Sequence, residues 1–259
     1  MMFKEHKKAY TDDEYIVRMW EKEYLQDMAA RFMFAWSNGE RRKALDKYWV
    51  TKTRNQRDAS WGENNGFYIG MEEIVRHFVQ SYEDECKADL KVFQDARPEK
   101  GYTGADLGLG KALLHDCTTP LLFIADDGQT ARYLCYDVGM EATGCPDGTS
   151  KSFFEIGLCF LEFIKEGDDW RIWHLIYQHD FSIEAGKDYE KMPRWLTPEQ
   201  NAVFTRHHGE PTKPFDVYDD MFGWEYIYYD MPAPYRTYEE EEGYGPNGKV
   251  GRKYYDRIV

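Results

Sequence analysis

Residues 152–181, "SFFEIGLCFLEFIKEGDDWRIWHLIYQHDF", decide the fold class. Two apolar runs flank "EGDD", a turn signal. The first run is apolar almost throughout, the pattern of a strand with both faces covered. The second is rich in β-branched and aromatic residues, as strands are. Period two puts Trp173, Leu175, Tyr177 and His179 on one face and His174 on the other, where it reads as structural. Just upstream, "PLLFIA" and "RYLCYDV" flank "DDGQT", the chemistry of a β-hairpin. The second half of the chain is therefore expected to be a meander of long antiparallel strands.

The first part is helical. Val17, Trp20, Tyr24, Met28, Phe32 and Trp36 recur at spacings of three and four, with Asp12 and Asp13 ahead of them and Gly39 behind. A shorter helix is expected over 40–49. Segment 51–70 reads as polar and irregular. A third helix follows, with the stripe Met71, Ile74, Val75, Phe78, Val79 and Tyr82. Residues 83–113 lack a clean period, and the glycine-rich part "RPEKGYTGADLGLGK" reads as a loop rather than a phosphate cradle. Helices first and strands second predict an α+β fold, with helices on one face of a curved sheet. Beyond residue 181 the chain turns rich in Pro, Tyr and acid. Two units are expected: a domain over 1–181 and an extension over 182–259 that packs on it or on a neighbouring subunit.

Composition narrows the function. The net charge is −14, which disfavours nucleic acid and anionic membranes as partners. No apolar run is long enough to span a bilayer. Five cysteines, an odd number without a CxxC pair, and an N-terminus without an apolar leader predict a reduced cytoplasmic protein. The 8 Trp, 20 Tyr and 15 Phe exceed what a core needs and point to a ring-lined pocket or interface. No HxH or HExxH occurs, so no metal site is expected. No GxSxG supports a serine nucleophile.

Several segments together resemble the SnoaL-like branch of the nuclear transport factor 2-like superfamily: "AARFMFAWSNGERRKALDKYW", "GFYIGMEEIVRHF", "HDCTTPLLFIADDGQTA" and "EGDDWRIWHLIY". The resemblance implies a cone-shaped α+β barrel in which a bent antiparallel sheet wraps three helices around one pocket. It also implies a homo-oligomer, a small-molecule substrate and no cofactor. Members include dehydratases, isomerases and non-catalytic binding proteins, so function has to come from the site.

By the same resemblance, His115 falls at the position of a catalytic histidine. Imidazole ordinarily titrates near 6.5, so it can exchange protons at neutral pH. His179 falls where the dehydratases carry a functional arginine, and Asp137 lies near another of their acids. Asp116, adjacent to His115 in an extended segment, points away from it. The tyrosine and aspartate that the dehydratases carry on the first helix are replaced here by Phe32 and Ser37. The catalytic candidates are His115, His179 and Asp137; Tyr48, Tyr68, Tyr136, Tyr177, Phe32 and Trp36 are candidate substrate-binding rings. The reading is a cofactor-independent lyase or isomerase acting on a cyclic, largely apolar compound. The alternative is a binding or assembly protein on the same fold.

Overall fold

Thr11 starts the first helix. Its hydroxyl accepts from the Glu14 N–H at 3.3 Å, while the Glu14 carboxylate accepts from the Thr11 N–H at 2.8 Å, a reciprocal capping box. The cap is thus one residue ahead of the expected aspartates, which occupy the first turn and favour the positive end of the helix dipole. Helix α1 (Asp12–Ser37) ends before Gly39, whose φ of 71° only glycine adopts cheaply. In the computed structural model the described residues are 10–63, 65–186, 202, 205–206, 208–214 and 232–248, and the side chains of 179–182 lie outside that description.

Next come α2 (Arg41–Tyr48), α3 (Thr53–Asp58), β1 (Ser60–Glu63) and β2 (Gly66–Ile69). A continuous helical rod then runs over 71–96: α4 (Met71–Ile74), a π-helical stretch (Val75–Gln80) and α5 (Ser81–Ala96). Strands β3 (Lys111–Leu114), β4 (Cys117–Ile124), β5 (Thr130–Gly144), β6 (Ser150–Glu166), β7 (Asp169–Glu184) and β8 (Lys213–Pro214) complete the sheet. Its order is β3-β5-β6-β7-β1-β2-β8, with β4 also on β5.

The α+β class is as expected, and four details differ. The sheet is mixed rather than purely antiparallel, because β1 runs parallel to β7, Ser60 opposite His174 and Gly62 opposite Ile176. It is also open: β3 and β8 end the strand order without meeting, so the described strands do not close a barrel. Segment 51–70 is ordered, since α3 and the β1–β2 hairpin lie within it. Finally, residues 83–96 are helical. Only Ser81, Cys86, Leu90 and Phe93 of α5 are buried, a stripe too narrow to stand out in a polar sequence.

The main core lies between the helices and the inner face of the sheet, and includes Phe32, Trp36, Trp49, Trp61, Phe78, Cys159, Leu161 and Tyr177. A second cluster lies on the outer face, where Phe67, Leu134, Leu158, Phe160 and Ile176 meet Tyr244 from the C-terminal extension. This double burial explains why β6 reads as apolar on both sides. Glu162 shares that outer face. It is fully buried, takes Arg132 Nε at 3.0 Å and accepts from the Tyr244 N–H at 3.1 Å. Residues 208–214 attach along β2: Gly66 pairs with Pro214, and Arg76 donates to the carbonyls of His208 and Glu210, each at 3.0 Å.

Of the stripe expected on α1, Met28, Phe32 and Trp36 are buried, but Val17, Trp20 and Tyr24 are exposed. The first half of the helix turns a different side to the sheet, with Arg18 on the Ile124 carbonyl of β4 and Glu21 on Lys165 of β6.

Candidate functional site

β3 and β4 are two halves of one edge strand along β5. Leu114 pairs with Met140 and Cys117 with Asp137. His115 and Asp116 occupy the break. Leaving the ladder there lets the His115 ring turn inward over Gly139, where an added Cβ would come within 3.0 Å of the Leu114 carbonyl and 3.7 Å of His115 Nδ1. A bare backbone at 139 gives the ring its seat.

Asp137 holds both residues of the break. One carboxylate oxygen lies 2.8 Å from His115 Nδ1, and the other accepts from the Asp116 N–H at 2.8 Å. Asp137 is fully buried. It lies mid-strand rather than at a strand end, because β5 continues to Gly144. The Asp116 side chain is exposed, so only its backbone takes part. Ser37, at the end of α1, accepts from the His115 N–H at 2.8 Å and so fixes the backbone rather than the ring. The carboxylate missing from helix one is supplied instead by the sheet.

The tautomer follows from these partners. A carboxylate at Nδ1 calls for an N–H there, leaving a lone pair on Nε2. That Nε2 is buried and has no hydrogen-bond partner; the nearest charge is Glu141 Oε1 at 4.0 Å. Trp36 covers one face of the imidazole at 4.2 Å between ring centroids, and Tyr177 stands edge-on at 5.7 Å. Burial, then the charges of Asp137 and Glu155, push the Tyr177 phenol well above its ordinary range. It therefore stays protonated, with a proton to donate. Glu141 and Glu155 share the inner face with Asp137. Alternation along β5 (Asp137, Gly139, Glu141) puts Glu141 there, and the opposition of Gly139 and Glu155 on β6 adds the other.

The other candidates divide. Trp36 and Tyr177 are in contact with His115. Phe32 belongs to the core instead, packed against Trp36, Trp49, Trp61 and Phe78. Tyr136 does not line the site: it is 40 % exposed on the outer face, one residue out of phase with Asp137. Tyr48 is at the far end of the sheet. Its neighbour Trp49 bridges Ile172, which is level with Phe163, whereas Asp137 is level with Gly157; six strand residues make roughly 20 Å. The Tyr68 hydroxyl is already engaged, accepting from Asn65 and donating to the Gly209 carbonyl, each at 3.1 Å. The backbone of His179 pairs with Gly157, and its side chain lies outside the described residues. His174 bonds Ser60 Oγ through Nδ1 at 2.8 Å, on the face opposite the site.

Sequence reasoning missed His77. It lies off the expected stripe, in the π-helical stretch, and is buried there. There it stacks on Tyr68 at 3.8 Å, and its Nε2 lies 3.4 Å from Glu63 Oε1. Burial, with Arg41 and Arg76 nearby, lowers its pKa to about 3. Among the described residues, no group of three or more His, Cys, Asp or Glu is placed to hold a metal. No helix among them is long and apolar enough to cross a membrane.

No protein-family model matches the sequence, and no curated protein matches it. Solved structures do match. A hexachlorocyclohexane dehydrochlorinase, LinA-type3, from Novosphingobium barchaimii is 14% identical, with 66% of this chain and 95% of that chain covered and a TM-score of 0.42. An NTF2-like protein with a cystatin-like fold from Novosphingobium aromaticivorans is 17% identical, covering 71% and 94%, with a TM-score of 0.40. A protein from Kribbella flavida is 10% identical, covering 64% and 95%, with a TM-score of 0.45. NTF2-like is the superfamily that the sequence resembles. These superpositions are loose, and what the chain does rests on its own residues.

Proposed function

We propose that this chain is a cofactor-independent acid–base enzyme, a lyase or isomerase, with His115 as its proton-transfer group. One observation carries the reading: a buried imidazole has its Nδ1 on the Asp137 carboxylate while its Nε2 has no hydrogen-bond partner. Unpaired polar atoms are rare in protein interiors and call for an explanation. A base held in one tautomer is such an explanation.

The chemistry follows from the groups present. Nε2 takes a proton from a carbon next to a carbonyl, and the C–H electron pair moves into the enolate. Asp137 stabilises the imidazolium that forms, as a carboxylate behind a histidine does. The Tyr177 phenol donates to the developing oxygen charge. Because it holds its own proton tightly, the proton is returned from His115. Returned to a leaving hydroxyl it completes loss of water, and returned to another carbon it completes double-bond migration. Each cycle ends with the imidazole neutral. The rings of Trp36 and Tyr177 favour a cyclic, largely apolar substrate. Glu141, with its side chain 40% exposed and Oε1 4.0 Å from Nε2, is the group a substrate would displace.

The rival reading is a non-catalytic binding protein. It is favoured by the closure of the site, where Nε2 has almost no solvent contact. A screen of cyclic hydroxy-ketones for water loss, followed by the absorbance of the conjugated product, separates the two. The enzyme reading expects turnover that drops about a hundred- to ten-thousand-fold in His115→Ala, with ligand binding kept. Ligands that bind without turnover, or turnover untouched by His115→Ala, would reject it.

A further inference from the structure

We propose that α1 carries a self-association seam, along which its exposed stripe pairs antiparallel with the same stripe of a second copy. The outer half of this helix is amphipathic in the reverse sense. Its polar side faces the body. The Arg18 guanidinium donates to the carbonyls of Ile124, Ala125 and Asp126 at 3.3, 2.8 and 2.8 Å. Glu21 takes Lys165 at 2.5 Å and Trp170 Nε1 at 3.3 Å. Its apolar side faces outward, with Val17 55%, Trp20 67% and Tyr24 53% exposed. A helix anchored by its charges and presenting its rings to water has its stripe turned toward something outside its own fold.

The spacing says what fits. Asp13, Val17, Trp20, Tyr24, Asp27 and Arg31 follow one another at alternating steps of four and three, the period that keeps a seam on one side of a helix. The stripe is also self-complementary. In an antiparallel pair centred on residue 22, Trp20 meets Tyr24 of the second copy, and Asp13 meets its Arg31. Val17 meets Asp27, whose charge is already held by Arg31 at 3.5 Å, both side chains being 65% exposed. Every contact occurs twice, as a two-fold interface requires. The Asp13–Arg31 seam is roughly 27 Å long and about one helix diameter (~10 Å) wide. That is less than the roughly 800 Å² per partner of a standard interface, so a weak, micromolar dimer is expected.

Sedimentation equilibrium of the whole chain across the micromolar range tests it. The expected result is a monomer–dimer equilibrium whose dissociation constant rises more than about tenfold in Trp20→Glu. Asp13→Arg and Arg31→Asp should each weaken the dimer, and the double variant should bind more tightly than either single variant, because the reversed pair attracts again, while falling short of wild type because Arg31 no longer holds the Asp27 charge. Circular dichroism checks that each variant keeps its helix content; should Trp20→Glu lose it, the charge-reversal set carries the test. A monomer at every concentration, a dimer indifferent to Trp20→Glu, or a double reversal that binds no more tightly than the single variants overturns the proposal.

Discussion

Removing the Asp137 carboxylate should be among the most costly single changes in the interior. Asp137→Ala leaves two donors, His115 Nδ1–H and the Asp116 N–H, with no acceptor where each now has one at 2.8 Å. Hydrogen bonds to an ionised acceptor contribute about 1.5–3 kcal/mol each, and breaking a buried polar pair on one side costs about 3–5 kcal/mol. The expected loss is therefore about 3–5 kcal/mol in urea unfolding at neutral pH. Asp137→Asn keeps the shape and one acceptor oxygen but turns an NH₂ toward the other donor, so about half that loss is expected. A double-mutant cycle isolates the pair: His115→Ala should cost much less in the Asp137→Ala background, with a coupling of about 1–3 kcal/mol. Nitrogen-15 NMR of the imidazole adds an independent reading, with the proton on Nδ1 in the wild type and the tautomer mixed in Asp137→Ala. A loss under about 1 kcal/mol with additive single effects would show that the carboxylate does not hold the ring.

Three further outcomes are expected. Gly139→Ala should push the His115 segment off β5, at about 1–3 kcal/mol, and move the His115 imidazole resonances; unchanged resonances would remove Gly139 as the ring's seat. Burial lowers the His174 pKa to about 3, against 6.5 ordinarily. The unfolded chain then takes up a proton below pH 6.5 that the folded chain refuses until near 3. This contribution is full above 6.5 and declines with falling pH at up to about 1.4 kcal/mol per unit. His174→Gln should flatten the stability profile between those values, and a slope that does not change would mean that this imidazole accepts protons in the fold. Arg132→Ala strands the buried Glu162 carboxylate and should cost about 3–5 kcal/mol in urea unfolding, while Arg132→Ala with Glu162→Leu should recover much of it; no recovery would point to a role for Arg132 beyond the pair.

Strand parity made much of the fold legible. The double-sided apolar run of β6 and the alternation through Leu175 and Tyr177 describe real faces, and the stripe from Met28 to Trp36 is a real core. Parity does not show where a strand breaks. The pause at His115–Asp116 brings Asp137 under the histidine, and nothing in "LLHDCTT" marks a break. Likewise, a helical wheel assumes one repeat, and His77 is buried in a π-helical stretch, off the expected stripe. Only side-chain chemistry recommends Tyr136 and Tyr48. The first lies out of phase with Asp137, and the second lies at the wrong level of the sheet, a distance set by strand registers that no local window contains. The acid behind His115 is Asp137 on β5, a candidate in the sequence, rather than a residue of helix one, because either neighbouring element can hold the ring.

The cover over the outer face also constrains how the chain is made. Leu158, Phe160 and Ile176 are shielded by Tyr244, which leaves the ribosome roughly eighty residues after Phe160. At about 5–20 residues per second, that apolar patch waits several seconds for its own lid during translation. A nascent chain with a finished sheet and an unfinished C-terminal segment is a natural client for a holdase chaperone. Messages truncated before codon 232 should yield an aggregating product even though helices α1 to α5 and strands β1 to β8 have been synthesised.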